Sequence, residues 1–449
     1  MILLEVVRLA KFFRLVKNEY IKTLKKTSTK IMLILIVLAA AGVSVLSFTM
    51  EKISTDDYFY DDEETNFSAK INDLKKMQPE GYENDIKIYE YLNAQKVKPG
   101  SWQAIFALNI PNSIPQDQIY TDILDNVIKK NGDWKKACEI LKNNAPANSG
   151  AKWEYEYRLE NDIPFGDTWK DDTITEISDI KNILIGLADE AQSSESKKLD
   201  EQVKMNLYRL EHNIDIDVNS TMSNSMDGST SAINFWSAMS MSTSLISLVG
   251  LLIIIIAGSC VANEFSQGTI KFLLINPVKR WKILLSKYFT VVTFGYIMIA
   301  LLFVMMIPFA GIFLGFDCIS APYLYISNGN VHEMSPFLQI IKLYLLNSVD
   351  VVVMATMAFA LSSLFKSSAL AIGAGVFCMM GGSTLIQILA MLKQDWARYL
   401  IFANTNLANI YNGESLFPQH SLTFALIVIA VHMFIFLLTA WDGFTKREV

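Results

Sequence analysis

The chain has 449 residues, 51% hydrophobic and 19% charged, against roughly 25% charged in a soluble globular domain. Its 45 acidic and 39 basic side chains are unevenly placed: residues 51–233 hold 35 acidic and 20 basic, the remainder 10 and 19. A basic, apolar part joined to an acidic, polar part excludes a single soluble domain, a fibre and a disordered chain, and the acidic part argues against a nucleic-acid partner because it would repel phosphate.

Residues 1–30 are a basic lead, with eight Lys and Arg between Arg8 and Lys30. The apolar run Ile31–Met50 follows. It has about the 20 residues that a membrane-spanning helix needs. The long lead, and an apolar run that continues past the alanines at 39–41, argue against a cleaved secretory signal. Five further runs of this kind lie at about Trp236–Ala262, Tyr288–Phe313, Leu338–Phe365, Ala369–Leu392 and Leu422–Trp441. The expected fold is an α-helical polytopic membrane protein with six transmembrane helices and a large, mostly α extracellular insert, 51–233, between spans one and two. Spans two to six then fill 234–441, and 442–449 is a short tail.

The insert is long enough to fold as a domain. Apolar residues at helical spacing, Ile177, Ile180, Ile183, Leu184 and Leu187, predict a helix over 177–191. Residues 122–143 read as two helical pieces broken at Asn131-Gly132. The string YRLENDI at 157–163 returns as YRLEHNI at 208–214, which suits either a duplicated helical hairpin or two similar helix ends. The Ser/Thr/Asn-rich stretch 218–233 reads as a flexible connection into span two. Four cysteines at wide spacing give neither a zinc pattern nor a disulfide framework.

Basic residues alternate with the spans. Lys271, Lys279, Arg280 and Lys282 lie between spans two and three, Lys366 between four and five, and Lys446 and Arg447 after six. With the lead, all fall on one side of a six-span chain. The positive-inside rule makes that side the cytoplasm, puts both termini inside and leaves the insert outside. Trp236, Tyr288, Tyr344 and Trp441 near span ends suit either the headgroup layer or ordinary packing. Asp350 within span four is costly in lipid. It reads as a translocation-pathway residue or as one half of a polar contact with Asn347. Gly373, Gly375, Gly381 and Gly382 in span five allow close helix approach.

The most informative stretch is 263–288, NEFSQGTIKFLLINPVKRWKILLSKY. Glu264 stands where a helix leaves the membrane, Gly268-Thr269 break it and cap a short apolar piece, and Pro277 ends that piece ahead of Arg280. By composition the segment fits equally a surface helix offered to a cytosolic partner and one that only meets anionic lipid.

Glu264, Gly268, Thr269, Pro277, Val278, Arg280 and Lys287 resemble, in order and spacing, the coupling region of ABC-2-type transporter permeases. The lead is similar to that family's membrane-lying connector helix, and WDGFTKREV to its charged tail. The resemblance covers the six spans and their order, not the sequence of the insert. It implies the permease subunit of an ATP-driven exporter in a bacterial cell membrane. Two such halves, identical or not, would pair and dock cytosolic ATP-binding subunits, whose closure would press on 263–285 and alternate the access of the spans. The family's exported cargoes include antibiotics, peptides and lipids. The short stretch before span six resembles the re-entrant outer gate of this family.

The chain has no G-x-x-x-x-G-K-[ST] loop to cradle nucleotide phosphates. ATP would therefore be bound by a separate partner chain, and no cofactor and no enzymatic centre are expected here. Two other classes stay open: a membrane-anchored sensor whose insert binds a ligand or partner, and a secondary transporter. The latter should show repeat symmetry and more intramembrane charge than Asp350 and His432.

Overall fold

The computed structural model describes residues 2–58, 67–77, 82–98, 101–109, 134–166, 168–187, 193–222, 233–268, 279–365, 367–418 and 420–445. Among these, six helices are long and apolar enough to cross a membrane: Thr27–Ile53, Phe235–Ser266, Arg280–Leu314, Pro336–Leu364, Ser368–Met391 and Leu422–Thr445. The chain is thus an α-helical polytopic membrane protein. The basic lead is a helix, Ile2–Lys25, separated from span one by a single bend at Lys26.

The chain divides into two compact units. One holds residues 1–52, 218–320 and 335–449; the other holds 53–217 and 321–334. In the first, span two is segmented: Phe235–Met241, a 3₁₀ turn at Ser242–Leu245, then Ile246–Cys260 and Ala262–Ser266. The hydroxyls explain the first break. Ser242, Thr243, Ser244 and Ser247 each donate to the carbonyl three residues back, at 2.5–2.7 Å, and such bonds tighten the turn. At the second break, Ser362 Oγ of span four accepts from the amides of Val261 and Ala262, at 3.1 and 3.0 Å. Spans two and five pack closely through Gly258 and Gly375, where an added Cβ would meet Ile372 at 2.9 Å and Ile254 at 2.8 Å. Gly373 has nothing near it, so the small-residue face is narrower than the four glycines suggest.

Three of the four aromatic residues near span ends are packed. Trp236 is buried and donates from Nε1 to the Cys318 carbonyl at 2.9 Å. Tyr344 is buried, its hydroxyl 2.5 Å from Ser242 Oγ, and Tyr288 bonds Thr356 Oγ1 at 2.9 Å. Trp441 alone is exposed.

The second unit is helical, with helices at Ser68–Met77, Tyr82–Ala94, Trp102–Asn109, Trp134–Asn144, Gly150–Asn161, Trp169–Gly186 and Ser194–His212. One core gathers Phe67, Ile88, Leu92, Phe106, Cys138 and Leu141. The other gathers Ile174, Ile177, Ile180, Val203 and Leu210. The helix expected over 177–191 runs instead over Trp169–Gly186. Thr168 caps its start, and Ile183 is exposed because it lies off the face shared by Ile177, Ile180 and Leu184. Of the two pieces expected over 122–143, the second is the helix Trp134–Asn144; the first and Asn131-Gly132 lie outside the described residues.

The repeated string marks two helix ends. Asp162 and Asn213 both take the left-handed conformation, with φ of 55°. The amides of Ile163 and Ile214 close back onto the carbonyls of Arg158 and Arg209 at 3.0 and 2.9 Å. This is a C-terminal stop in which the residue after the turn is apolar. The first residues of the supposed flexible connection form a short helix, Val218–Met222; 223–232 lie outside the described residues.

A β-hairpin was not expected. β1, Tyr323–Ser327, pairs antiparallel with β2, Asn330–Met334, around Asn328-Gly329, both at positive φ. Asn-Gly is the preferred pair for this tight turn. The hairpin lies between spans three and four and belongs to the same unit as the insert, where Tyr208 donates to Glu333 Oε1 at 3.1 Å.

Candidate functional site

Two polar features stand out in the spanning unit, at opposite ends of its helices. The first is ionic. Lys287 lies two turns into span three and is fully buried, with 0% exposure. Its Nζ is 2.7 Å from Glu264 Oε1 and 3.0 Å from the Glu19 carboxylate. Lys22, one turn after Glu19 on the lead helix, sets its own Nζ 2.7 Å from the same Glu264 oxygen. Two cations and two carboxylates thus meet in a locally neutral knot. For the buried Lys287 and Glu264 the attraction must offset a large desolvation cost, and removing one member of a buried pair costs about 3–5 kcal/mol; the Lys22 side chain is half exposed and contributes less.

The knot joins three stretches distant in sequence. The lead helix is further tied to span three by a bond between the Tyr20 hydroxyl and Thr293 Oγ1, and by Phe12 edge-on to Phe289. The end of span two follows Glu264 directly. There Gly268 turns the chain at φ +67°, a conformation that suits glycine and ends the helix. Thr269, Pro277 and Val278 lie outside the described residues. Arg280 is exposed and donates from Nη1 to the Thr445 carbonyl at the end of span six, at 3.2 Å. Trp281 stacks on Trp441, and Phe265 meets Phe444 edge-on. Glu264 at the end of span two and Arg280-Trp281 at the start of span three are therefore each held by contacts of their own.

Of the residues singled out from sequence, Glu264 and Lys287 are brought together, and Arg280 lies on a separate contact. Glu264 is buried, with 3% exposure, and faces inward. Glu19, Lys22 and Tyr20 were not singled out individually. The signal was present: Glu19 is the second of two acids in an otherwise basic lead, and it lies three residues from Lys22.

The second feature is a cavity of about 450 Å³. Its walls are the start of span two, the first half of span four, the second half of span five and the connector into span six. Asp350, the middle residue of the 29-residue span-four helix, lines it together with Asn347. The two do not form the pair considered from sequence. Asn347 donates to the Leu343 carbonyl of its own helix at 2.9 Å, and the Asp350 carboxylate is hydrogen-bonded by Thr405 of the connector.

That connector consists of short turns, Asp395–Tyr399, Ile401–Ala403 and Leu407–Tyr411. Asn404 and His420 fix it. Asn404 Nδ2 donates to the carbonyls of Arg398 and Leu400. Its Oδ1 therefore accepts from His420 Nε2 at 2.9 Å, which leaves His420 Nδ1 to accept from Ser415 at 2.8 Å. Burial, with Arg398 adding to it, holds the His420 imidazole below its ordinary value, so the ring is neutral in this role. Among the described residues no group of three His, Cys, Asp or Glu is placed to hold a metal ion. All four cysteines are free thiols.

Comparison with known proteins follows this division. Two curated proteins of Bacillus subtilis are similar. "Uncharacterized protein YhcI" is 38% identical over 251 residues, 56% of this chain and 76% of that protein. "Uncharacterized membrane protein YdbK" is 32% identical over 219 residues, 48% of this chain and 84% of that protein. No solved structure matches. The family described as "Protein of unknown function (DUF2705)" matches residues 212–449, which take in spans two to six and leave most of the insert outside. With more than half its length matched, the chain belongs to that family.

Proposed function

We infer that this chain is the membrane permease half of an ATP-driven exporter of the ABC-2 type, working beside a second permease half and two cytosolic ATP-binding chains. The observation that carries the reading is the ionic knot. Glu264 at the end of span two is held by Lys287, and Arg280 at the start of span three is held by the Thr445 carbonyl, so a push that reaches either residue is delivered to spans two, three and six. Glu19 and Lys22 tie the lead helix to the same knot. A membrane-anchored sensor has no need for this construction.

In this reading the knot faces the cytoplasm, together with both termini and the basic residues that the positive-inside rule assigns there. The insert is outside. Its union with the hairpin between spans three and four supports six alternating spans, which put those two connections on one side, and the basic residues decide which side that is. Glu264 acts by holding the lead helix, and contact with the ATPase falls to the exposed residues around Gly268 and Arg280. The cargo passes through the spans; ATP is bound and hydrolysed only by the partner.

The test is purification of a tagged full-length chain from its native membranes in mild detergent. The expected result is a stoichiometric co-purifying chain with a Walker phosphate loop, lost when Arg280→Glu reverses the charge of the exposed contact. If no such ATPase is retained under conditions that preserve a known ABC complex, the reading falls and the insert becomes the seat of function. An ATPase that stays bound to Arg280→Glu at wild-type stoichiometry would move the contact elsewhere on the chain.

A further inference from the structure

We propose that the cavity beside Asp350 is a binding site for organic cations with an apolar body. Its size, about 450 Å³, lies in the range of roughly 300–1,000 Å³ typical of small-molecule sites. Two carboxylates line it, and among the described lining residues there is no Lys, Arg or His. They are arranged in depth. Glu414 is exposed at the mouth with Ser383 and Gln387, while Asp350 lies inside among the buried Met354, Ile386 and Ile410.

A carboxylate at mid-span costs about 2.5–3.5 kcal/mol on insertion scales. Thr405 offsets part of that cost with one hydrogen bond, and a cation entering the cavity would offset more. Inorganic divalent ions fit poorly, because calcium seeks six to eight oxygen ligands and no cluster of three acidic, His or Cys side chains is formed among the described residues. The walls instead suit a hydrophobic cation. Met354 and Met379 are flexible and polarisable, able to adapt to irregular apolar shapes. Phe402 offers an aromatic ring of the kind that attracts cations through its face. The amides of Asn347, Gln387, Asn406 and Asn409 can accept from an ammonium or orient water around it.

As an assignment of cargo class this rests on the exporter reading; as a binding site it does not. The experiment therefore measures binding alone, on the purified full-length chain without ATP or partner. The probes are radiolabelled tetraphenylphosphonium and, in separate samples because the two ions pair and precipitate together, radiolabelled tetraphenylborate, which has the same shape and the opposite charge. The expected result is saturable binding of the phosphonium, one probe per chain, and no saturable binding of the borate. Affinity should fall about tenfold or more, equivalent to about 1.4 kcal/mol, in Asp350→Asn and in the cavity-filling Met379→Trp.

The proposal is overturned by a wild-type protein that binds no phosphonium saturably, by equally tight binding of the borate, or by unchanged affinity in Asp350→Asn. If Asp350→Asn does not fold, as judged by its elution from a sizing column, the borate comparison on the wild type and the Met379→Trp variant decide. A chain that binds the phosphonium but retains no ATPase keeps this site and loses the exporter reading. A chain that retains its ATPase but does not discriminate charge loses the site alone.

Discussion

In each unit of the molecule a buried cation meets two carboxylates, and the two sites are built differently. In the insert, Arg158 is 1% exposed, with Nη2 2.8 Å from Glu154 and Nη1 2.5 Å from Asp171. Its guanidinium also lies 4.5 Å above the Phe165 ring. Every partner lies within 13 residues. In the spanning unit, Lys287 meets Glu264, 23 residues away, and Glu19, 268 residues away. The arginine staples a helix end to its own surroundings. The lysine is the point at which the lead helix, span two and span three meet. A short-range pair stabilises one domain; a long-range pair makes separate elements move as one.

The largest effects come from removing either cation, and they should differ in reach. Lys287→Met leaves the Glu19 carboxylate without its cation and Glu264 with Lys22 alone, and should cost about 3–5 kcal/mol. Hydrogen exchange read by peptide should show lost protection in the lead helix, at the end of span two and at the start of span three together. Arg158→Met carries a cost of the same order, with lost protection confined to peptides from 134 to 186. Lys287→Met that disturbs span three alone would break the contrast. Restored lead-helix protection in the double variant Lys287→Met, Glu19→Gln would sharpen it, because the second change removes the carboxylate left without a cation while Lys22 keeps Glu264.

The same contrast sets what was legible in the sequence. The six spans read directly, because about 20 apolar residues have few other uses. The boundaries drifted where polar side chains belong to a span: span three begins at Arg280 rather than Tyr288 because Arg280, Lys282 and Lys287 each continue the helix. The Asn328-Gly329 hairpin was signalled by its turn pair but overlooked beside the stronger apolar runs. The Glu264–Lys287 pair lay inside one recognisable segment. Its closure by Glu19 and Lys22 is only half signalled: the lead offers an acid beside a lysine, but no local pattern relates residue 19 to residue 287. Asp350 was conspicuous as a charge, but its partner Thr405 lies on an irregular connector with no periodicity to follow.

A smaller effect separates the insert by pH. Glu176 accepts from Gln202 Nε2 at 2.7 Å, yet burial outweighs its hydrogen bonds and raises its carboxyl above the ordinary value of 4.5. The native state thus holds this proton to higher pH than the unfolded chain does. Its contribution to stability is fully present below 4.5 and is lost as pH rises through the raised value. Unfolding of the insert, followed through Trp153 and Trp169 fluorescence, should show this downward slope, and Glu176→Gln should flatten it. A slope unchanged in that variant assigns it to another carboxyl.

The smallest effect tests the repeated helix end. Asn213 holds φ of 55° at the close of Ser194–His212, a conformation that asparagine tolerates and a β-branched residue does not. Asn213→Val should destabilise that helix end by about 1–2 kcal/mol, the usual cost of a left-handed L-residue. Asn213→Gly should stay within about 0.5 kcal/mol, because relief of that strain is balanced by the greater freedom of glycine in the unfolded chain. Asp162 occupies the matching place in the first copy but also receives Lys135 at 2.6 Å. Asp162→Val should therefore cost the same backbone strain plus the small amount that an exposed ion pair adds, up to about 1 kcal/mol. Equal losses at the two positions would mean that the string repeats a backbone stop and nothing more. A loss at Asp162 larger by more than the ion pair allows would mean that the first copy also positions Arg158, whose carbonyl closes the turn and whose guanidinium holds Glu154 and Asp171.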